Sequence, residues 1–387
     1  MPDEAPGEPA GDDPSRALST DEIRGVERML ADAWGEPVEL AGAEVLWERW
    51  HVVRLTTADG RTAILKRPRA AGDAVWHSEM TGLVHEWASL ELLDHMPLAV
   101  APRLLASDIE LSLLLLEELP AGPSLADELD GDDPAAAEAA LVAYAVALAE
   151  VHAWSRGRRA LFEERLRERG AILETPPVAS PSVWAQRVAK ADDSFGSAAE
   201  RAEIVRLLAG PPPPDDDGRT TFVHSDPCPD NVLIAGGRCR ILDFERSGWG
   251  SPALDAAYLV APFPSCWYFG TLPDPVAAAA RGAYRATAEA AGMVFDDAWE
   301  AELAATLAAF LIVRVPMFAT PDEEWGTTSY GPRFVAWAEA FLAAPGAAAF
   351  PRLVADATAL RDRLVASDAV TDPVGYPALP LRGSGDG

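Results

Sequence analysis

Four polar residues near the middle of the chain have types and spacing suited to phosphoryl transfer. Asp226 lies two residues after His224 and five before Asn231, and Asp243 follows twelve residues after that. Phosphoryl transfer needs an acceptor oxygen held in line and cations near the phosphate oxygens, with little covalent help from the protein. The Asp226 carboxylate can accept a hydrogen bond from an attacking hydroxyl group. The Asn231 amide and the Asp243 carboxylate are hard oxygen ligands that suit Mg²⁺.

The residues around this motif predict how it is positioned. An apolar run at 221–223 ends at the histidine, and a second run at 232–234 follows the asparagine. Two glycines at 236–237 then favour a turn, and residues 240–242 lead into Asp243. We therefore expect a strand, a loop and a hairpin that returns Asp243 to the loop. The alternative is a polar loop between two core strands, in which aspartate and asparagine serve as turn residues.

A scarce lysine is the second candidate. The chain has 32 lysines and arginines, of which Lys66 and Lys190 are the lysines. Lys66 ends an alternating strand over 62–66, and a compact ammonium group fits between phosphate oxygens as a point charge. Helical spacing favours Glu86 as its partner, with Glu79 as the rival. The alternatives are a solvent-exposed lysine at a strand end and an exposed glutamate on a helix.

The remaining elements divide the chain into a strand-rich part and a helical part. A capping box at 19–22 predicts a helix through about Trp34, and further helical spacing covers 73–93. An apolar strand at 111–116 breaks at 117–122, which we interpret as a hinge between two lobes. Asp133 and Pro134 favour the start of a long alanine-rich helix. The helices expected after Asp243 lie near 274–291, 296–314, 331–343 and 350–366.

On these residues the chain resembles the aminoglycoside phosphotransferase and choline kinase superfamily. The matching positions are Lys66, Glu86, His152, His224, Asp226, Asn231, Asp243 and Asp255. The resemblance covers about residues 36–345. It implies an α+β, bilobal protein-kinase-like fold with a small antiparallel-sheet N-lobe at 19–119 and a larger, mainly helical C-lobe at 120–370. The tails at 1–18 and 371–387 are expected to be disordered.

The resemblance also implies roles for the site residues. Asp226 would be the catalytic base, and Asn231 and Asp243 would hold Mg²⁺. Lys66, held by Glu86, would contact the phosphates of ATP.

Other positions are implied to support the loop or to meet the nucleotide. His224, His152 and Asp255 would fix the catalytic loop, and the hinge at Glu117 and Leu119 would meet adenine. The chain departs from the superfamily at Ser225, where glycine is common, and its first hairpin has no glycine-rich phosphate loop.

Composition limits the partners. The net charge of −29 over 387 residues disfavours nucleic acids and anionic lipid, and it favours a cationic acceptor. No apolar segment reads as a membrane span, and no secretory signal pattern is present, so we expect a cytoplasmic protein. The odd count of three cysteines indicates a reducing compartment, with Cys228 as a small filler in the loop.

The sequence therefore predicts an ATP- and Mg²⁺-dependent phosphotransferase that acts on a hydroxyl of a small molecule. The acceptor could be an aminoglycoside-like or other antibiotic, an amino alcohol or a sugar, and the oligomeric state is not predicted. Two alternatives stay open: a kinase-like nucleotide-binding regulator with weak turnover, and a metal-dependent hydrolase built on His224, Asp226 and Asp243. A protein kinase is disfavoured, because residues 244–255 leave no room for an activation loop.

Overall fold

A computed structural model gives the structure of most of the chain. The described residues are 17–46, 51–68, 73–169, 181–209, 219–235, 238–261, 263, 266–316, 324–325, 328–367 and 375–381. The chain divides into two units. The first comprises Met1–Pro120 and Arg165–Thr175, and the second comprises Ala121–Glu164 and Pro176–Gly387.

The first unit is built on an antiparallel sheet of five strands in the order β1-β2-β3-β5-β4. Its elements are α1 Thr20–Trp34, β1 Leu40–Val45, β2 Val52–Thr57, β3 Thr62–Lys66, α2 Asp73–Leu93, β4 Leu104–Asp108 and β5 Leu113–Glu117. The predicted capping box is confirmed: the Ser19 hydroxyl accepts from the N–H of Glu22, whose carboxylate accepts from the N–H of Ser19. The last strand starts later and ends one residue beyond the predicted 111–116.

Alternation along the strands places one face of this sheet in a core. Val53, Leu55 and Leu65 are fully buried there, and Val26 and Leu30 of α1 belong to the same cluster. Burial of such side chains contributes roughly 1.5–3 kcal/mol each. The sheet is therefore a stable support for Lys66, the last residue of β3.

The second unit is mainly helical in the part described. Its helices are α3 Leu125–Asp130, α4 Pro134–Ser155, α5 Arg159–Glu168, α6 Pro181–Lys190, α7 Ala198–Ala209, α8 Ala253–Ala256, α9 Asp274–Ala290, α10 Asp297–Arg314, α11 Tyr330–Ala343 and α12 Pro351–Val365. The last four residues of α5 are counted with the first unit. The predicted α+β class, with a sheet first and helices after it, is confirmed.

Three short antiparallel strand pairs interrupt these helices. They are β6 Thr221–Val223 with β9 Gly248–Gly250, β7 Val232–Ala235 with β8 Arg238–Ile241, and β10 Glu324–Trp325 with β11 Thr328–Ser329. The predicted strand before the loop and the hairpin after it are thus confirmed. The glycines at the hairpin turn lie outside the described residues.

The central helix of the second unit is α4. Asp133 caps it by accepting from the N–H groups of Ala135 and Ala136, and Tyr144 and Leu148 on this helix are buried. This helix packs along α9. Within the described ranges, α4 is the one helix long and apolar enough to span a membrane, a test that the core helix of a folded protein also passes.

One predicted tail is partly ordered. Tyr376, Ala378 and Leu379 are buried, and Gly375 forms a bridge with Thr271. Apolar residues at 376–379 thus outweigh the polar composition that suggested disorder over 371–387. At the other end, Leu18 is 3% exposed and belongs to the core of the first unit. Residues 1–16, 368–374 and 382–387 lie outside the described part.

Candidate active site

In the first unit, Lys66 forms a buried ion pair with Glu86. The Nζ atom of Lys66 contacts Oε2 of Glu86, and the two side chains are 10% and 2% exposed. Lys66 is held in the sheet opposite Val52 on one side and Leu114 on the other. Of the two partners that the sequence allowed, the structure selects Glu86. The ion pair fixes the position of the ammonium group, so an anion would meet it in one geometry.

At the predicted hinge, Glu117 is already bonded to Arg103. Its two carboxylate oxygens accept from the backbone N–H and Nε of Arg103 at 3.0 and 3.2 Å, and its own N–H donates to the Arg103 carbonyl. These atoms are therefore engaged within the first unit. Leu119 lies just beyond β5, without regular structure. Contact of Glu117 and Leu119 with adenine stays a prediction.

In the second unit, the buried carboxylate of Asp255 holds the start of the loop 224–231, which is the predicted catalytic loop. It accepts from the backbone N–H of His224 at 2.7 Å and of Ser225 at 2.8 Å. It also accepts from Nε2 of His152 at 3.1 Å, and Nδ1 of His152 accepts from the Tyr284 hydroxyl at 2.8 Å. These four hydrogen bonds lie in a low-dielectric interior, where each bond is strong.

The backbone of the site is left-handed at two residues, Ser225 with φ 68° and Asp243 with φ 66°. Left-handed backbone is costly for a residue with a Cβ atom, and aspartate tolerates it better than most. Because residue 225 adopts left-handed backbone, glycine suits this position. The hydroxyl oxygen of Ser225 is buried and has no hydrogen-bond partner in the part of the chain that is described.

Leu242 ties the hairpin to the loop. Its carbonyl accepts from Nε2 of His224 at 2.8 Å, and its N–H donates to the carbonyl of Asn231 at 2.8 Å. Nδ1 of His224 accepts from the N–H of Asp226 at 3.3 Å, so the ring proton lies on Nε2. Asp243 follows Leu242 directly and is therefore beside Asn231, as predicted from the hairpin.

The residues predicted to hold magnesium fit that ion chemically. Nδ2 of Asn231 donates to the carbonyl of Asp226 at 3.1 Å, which turns the amide oxygen away from that carbonyl. An amide oxygen and the Asp243 carboxylate form a hard donor set of the kind that Mg²⁺ prefers.

Arg246 is a site residue that the sequence reasoning missed. Its NH1 atom lies 2.7 Å from Oδ2 of Asp226. Burial lowers the pKa of Arg246, but the carboxylates of Asp226, Glu245 and Asp243 outweigh it, and the net pKa is raised. The available signal was a basic residue three positions after Asp243, in the turn Phe244–Arg246.

A second arginine lies near Asp226. Arg314, 9% exposed, has its pKa lowered to about 10 by burial, while Asp226 acts in the opposite direction. Arg333 is fully buried, and its guanidinium donates to the carbonyls of Cys266 and Trp267. The site therefore contains positive as well as negative side chains, although the net charge of the whole chain is −29.

The prediction that Cys228 is a small filler in the loop was wrong. Cys228 and Cys266 form a disulfide, and Cys239 is a buried free thiol. Three cysteines still allow one disulfide. Residues 38 positions apart in sequence meet when the loop folds. The sulfur atoms and a carboxylate oxygen of Asp226 lie within 4.8 Å of one another, a grouping that could hold a metal if the sulfur atoms were not bonded to each other.

Comparison with known proteins places the chain in a family. Residues 45–295 match the model of the phosphotransferase enzyme family. This confirms the resemblance found in the sequence. No curated protein matches the chain.

Solved structures of low sequence identity are also similar. A macrolide 2′-phosphotransferase of Brachybacterium faecium is 18% identical, with 77% of this chain and 93% of that one covered and a TM-score of 0.45. A putative aminoglycoside phosphotransferase of Ralstonia eutropha is 16% identical, with coverage of 88% and 95% and a TM-score of 0.48. A putative fructosamine-3-kinase of Thermobifida fusca is 19% identical, with coverage of 87% and 99% and a TM-score of 0.44.

Proposed function

Since the chain belongs to the phosphotransferase enzyme family, we propose that it transfers the γ-phosphate of ATP to a hydroxyl group of a small molecule. The observation that carries the proposal is the pair of hydrogen bonds that the Leu242 backbone forms with His224 and Asn231. It brings the residue expected to bind magnesium next to the loop that holds Asp226. The metal-dependent hydrolase that the sequence left open would have no use for the buried pair of Lys66 and Glu86.

Asp226 is proposed to align the acceptor. Its carboxylate, whose side chain is 13% exposed, would accept a hydrogen bond from the acceptor hydroxyl and take its proton as the new bond to phosphorus forms. Arg246 fixes the orientation of this carboxylate through the contact at 2.7 Å. Preorganised groups of this kind lower the barrier because they need no rearrangement during transfer.

Lys66 is proposed to bind the phosphates of ATP. A buried ammonium group held by Glu86 would orient two phosphate oxygens without the fork geometry of arginine. Asn231 and Asp243 would hold Mg²⁺, which, when bound, offsets charge on the phosphate oxygens. The backbone near Leu119 is proposed to meet the adenine ring.

The acceptor is proposed to be an antibiotic, an amino alcohol or a sugar, and the protein is proposed to act in the cytoplasm. The arginines around Asp226 mean that the acidic surface of the chain is no guide to the charge of the acceptor. Neutral and anionic hydroxyl compounds therefore belong in the first screen together with aminoglycosides.

An ATP-consumption screen with the purified chain tests this proposal. We expect ADP formation above a no-acceptor control with at least one compound in a panel of aminoglycosides, macrolides, amino alcohols, sugars and hydroxy acids. Asp226→Ala should abolish that turnover and leave Mg-ATP binding intact, and Lys190→Ala, which changes the other lysine, should match the unaltered enzyme.

Two results would reject the proposal. Full activity of Asp226→Ala would remove the assigned base. Stabilisation by Mg-ATP with no transfer to any member of the panel would instead support a nucleotide-binding regulator. Ser225 in place of glycine and the pairing of Asp226 with Arg246 make that regulator the second candidate.

A further inference from the structure

A disulfide joins the catalytic loop to a second segment of the same unit. Cys228 follows Asp226 by two residues, and its bonded partner Cys266 begins the short segment 266–269. Both cysteines are buried, with 5% and 1% exposed. This covalent bond connects the loop, two residues after the proposed base, to the segment 266–269.

The catalytic loop is held without the disulfide. The N–H of Cys228 donates to the Asp226 carbonyl at 2.8 Å, and the Cys228 carbonyl accepts from the N–H of Asn231 at 2.9 Å. The Tyr144 hydroxyl donates to the carbonyl of Pro227 at 2.9 Å. Cleavage of the disulfide would leave these hydrogen bonds in place.

The segment at the other end is also held independently. Arg333 donates to the carbonyls of Cys266 and Trp267 at 2.8 and 2.6 Å, and the Tyr268 hydroxyl donates to Asp130 at 2.6 Å. One further bond, from Nε1 of Trp267 to Asp230 at 3.1 Å, joins the segment to the loop. The reduced chain should therefore stay folded, while the coupling between loop and segment becomes weaker.

The redox state of Cys228 also changes which hydrogen bonds the carboxylate of Asp226 can accept. The sulfur of Cys228 lies 3.2 Å from Oδ1 of Asp226. A disulfide sulfur has no proton, so this contact cannot be a hydrogen bond in the oxidised chain. After reduction, the Cys228 thiol can donate to Oδ1 and compete with an acceptor hydroxyl for the same oxygen.

We propose that Cys228 and Cys266 form a reversible thiol–disulfide site that controls phosphoryl transfer, with the disulfide as the more active form. This rests on the proposed role of Asp226. The reaction partner is a small disulfide of the glutathione type. One cysteine thiolate attacks it and releases a small thiol, and the second thiolate then displaces the other. Two electrons and two protons pass from the cysteine pair to the small disulfide.

A reducing cytoplasm is consistent with this assignment. Stable disulfides are rare in that compartment, and those that occur are usually transient or redox-sensing. The third cysteine, Cys239, is separate from the pair and serves as an internal reference for labelling.

The first test needs no acceptor. The full chain is equilibrated in glutathione buffers from fully oxidised to fully reduced, denatured in excess alkylating agent and analysed by mass spectrometry. We expect one two-electron transition of the Cys228–Cys266 pair and one alkylated Cys239 throughout. A pair that stays oxidised in roughly hundredfold excess of reduced glutathione is a fixed structural disulfide and overturns the proposal, as does a pair that never forms.

The second test compares rates and loop mobility in the two states. One net hydrogen bond corresponds to about a tenfold change in rate, so we expect kcat to fall by about that factor on reduction, with Mg-ATP affinity unchanged. Cys266→Ser keeps the Cys228 thiol and should be slow in both buffers, whereas Cys239→Ala should respond to reduction like the unaltered chain. Equal rates in both states would overturn the proposal.

If neither redox state transfers a phosphoryl group, the proposed function is rejected independently of the redox proposal. Hydrogen exchange in segment 266–269 and in the loop then decides whether the pair is a switch. Faster exchange in the reduced chain supports it, and equal protection in both states overturns it.

Discussion

Arg246 binds the carboxylate of Asp226 at 2.7 Å, so the proposed base is part of an ion pair before any substrate is present. The two side chains are 31% and 13% exposed, and the contact is between NH1 and Oδ2. The pairing fixes the orientation of the carboxylate.

Arg246→Ala should lower kcat by about ten- to a hundredfold, because Asp226 loses the group that orients it. Mg-ATP affinity should change little, since the proposed phosphate lysine lies in the other unit. Steady-state kinetics with an acceptor from the screen measure this. Arg238→Ala, in an exposed strand position of the neighbouring hairpin, is the matched control. An unchanged kcat in Arg246→Ala would remove the orienting role.

Lys66→Ala should lower kcat/KM for ATP and also destabilise the first unit. The substitution leaves the buried carboxylate of Glu86 without its cation, which costs about 3–5 kcal/mol in comparable pairs. Thermal unfolding and ATP kinetics are measured together. Glu86→Gln keeps the shape but leaves the buried ammonium group of Lys66 without its counterion, so it should destabilise the first unit as well. If Lys66→Ala kept full ATP efficiency, the assignment of the phosphate lysine would fail.

Ser225→Gly should stabilise the protein. Glycine removes the strain at φ 68° and a buried hydroxyl that has no hydrogen-bond partner among the described residues. Relief of left-handed strain is worth about 1–2 kcal/mol, and the extra freedom of glycine in the unfolded chain takes back about 0.5–1 kcal/mol. A rise in the unfolding midpoint is the expected result, and a fall would mean that the hydroxyl has a role that the hydrogen bonds do not show.

Cys239 should resist alkylation in the folded chain. Burial raises the pKa of its thiol to about 12, so it stays protonated at pH 9, where an unfolded cysteine is partly ionised. The contribution of this thiol to folding stability is therefore full below pH 9 and is lost as the pH rises through 12. Iodoacetamide labelling at pH 9, before and after denaturation, checks this. Rapid labelling of the folded chain would contradict the burial.

Local pattern predicted the elements of the site well. The loop between two apolar runs, the hairpin after it and the strand that ends at Lys66 all depend on residues close in sequence, and the structure has them. Helical spacing preferred Glu86 over Glu79, and the buried ion pair agrees. These features follow from alternation, turn glycines and capping, which a single sequence displays.

Contacts between distant residues were not predictable in the same way. Arg246 was passed over because its partner Asp226 is twenty residues away, and no periodicity links them. The pairing of Cys228 with Cys266 spans 38 residues, and its geometry exists only after the segment has folded against the loop. The left-handed backbone at Ser225 was not predicted either, because the difference from the superfamily's glycine does not by itself give a backbone angle.

Asp255→Asn should reduce kcat far more than it changes substrate affinity. The carboxylate accepts from His224, Ser225 and His152, whereas an amide has one acceptor oxygen and turns its NH₂ group toward at least one of these donors. The start of the loop then loses an anchor, and Asp226 moves with it.

Tyr284→Phe is the matched control. It removes one hydrogen bond to His152, one step farther from the loop, and should cost about 1–2 kcal/mol of stability with kcat nearly unchanged. Circular dichroism melts and kinetics on both variants separate the two effects, and equal losses of kcat would show that Asp255 contributes to stability without positioning the loop.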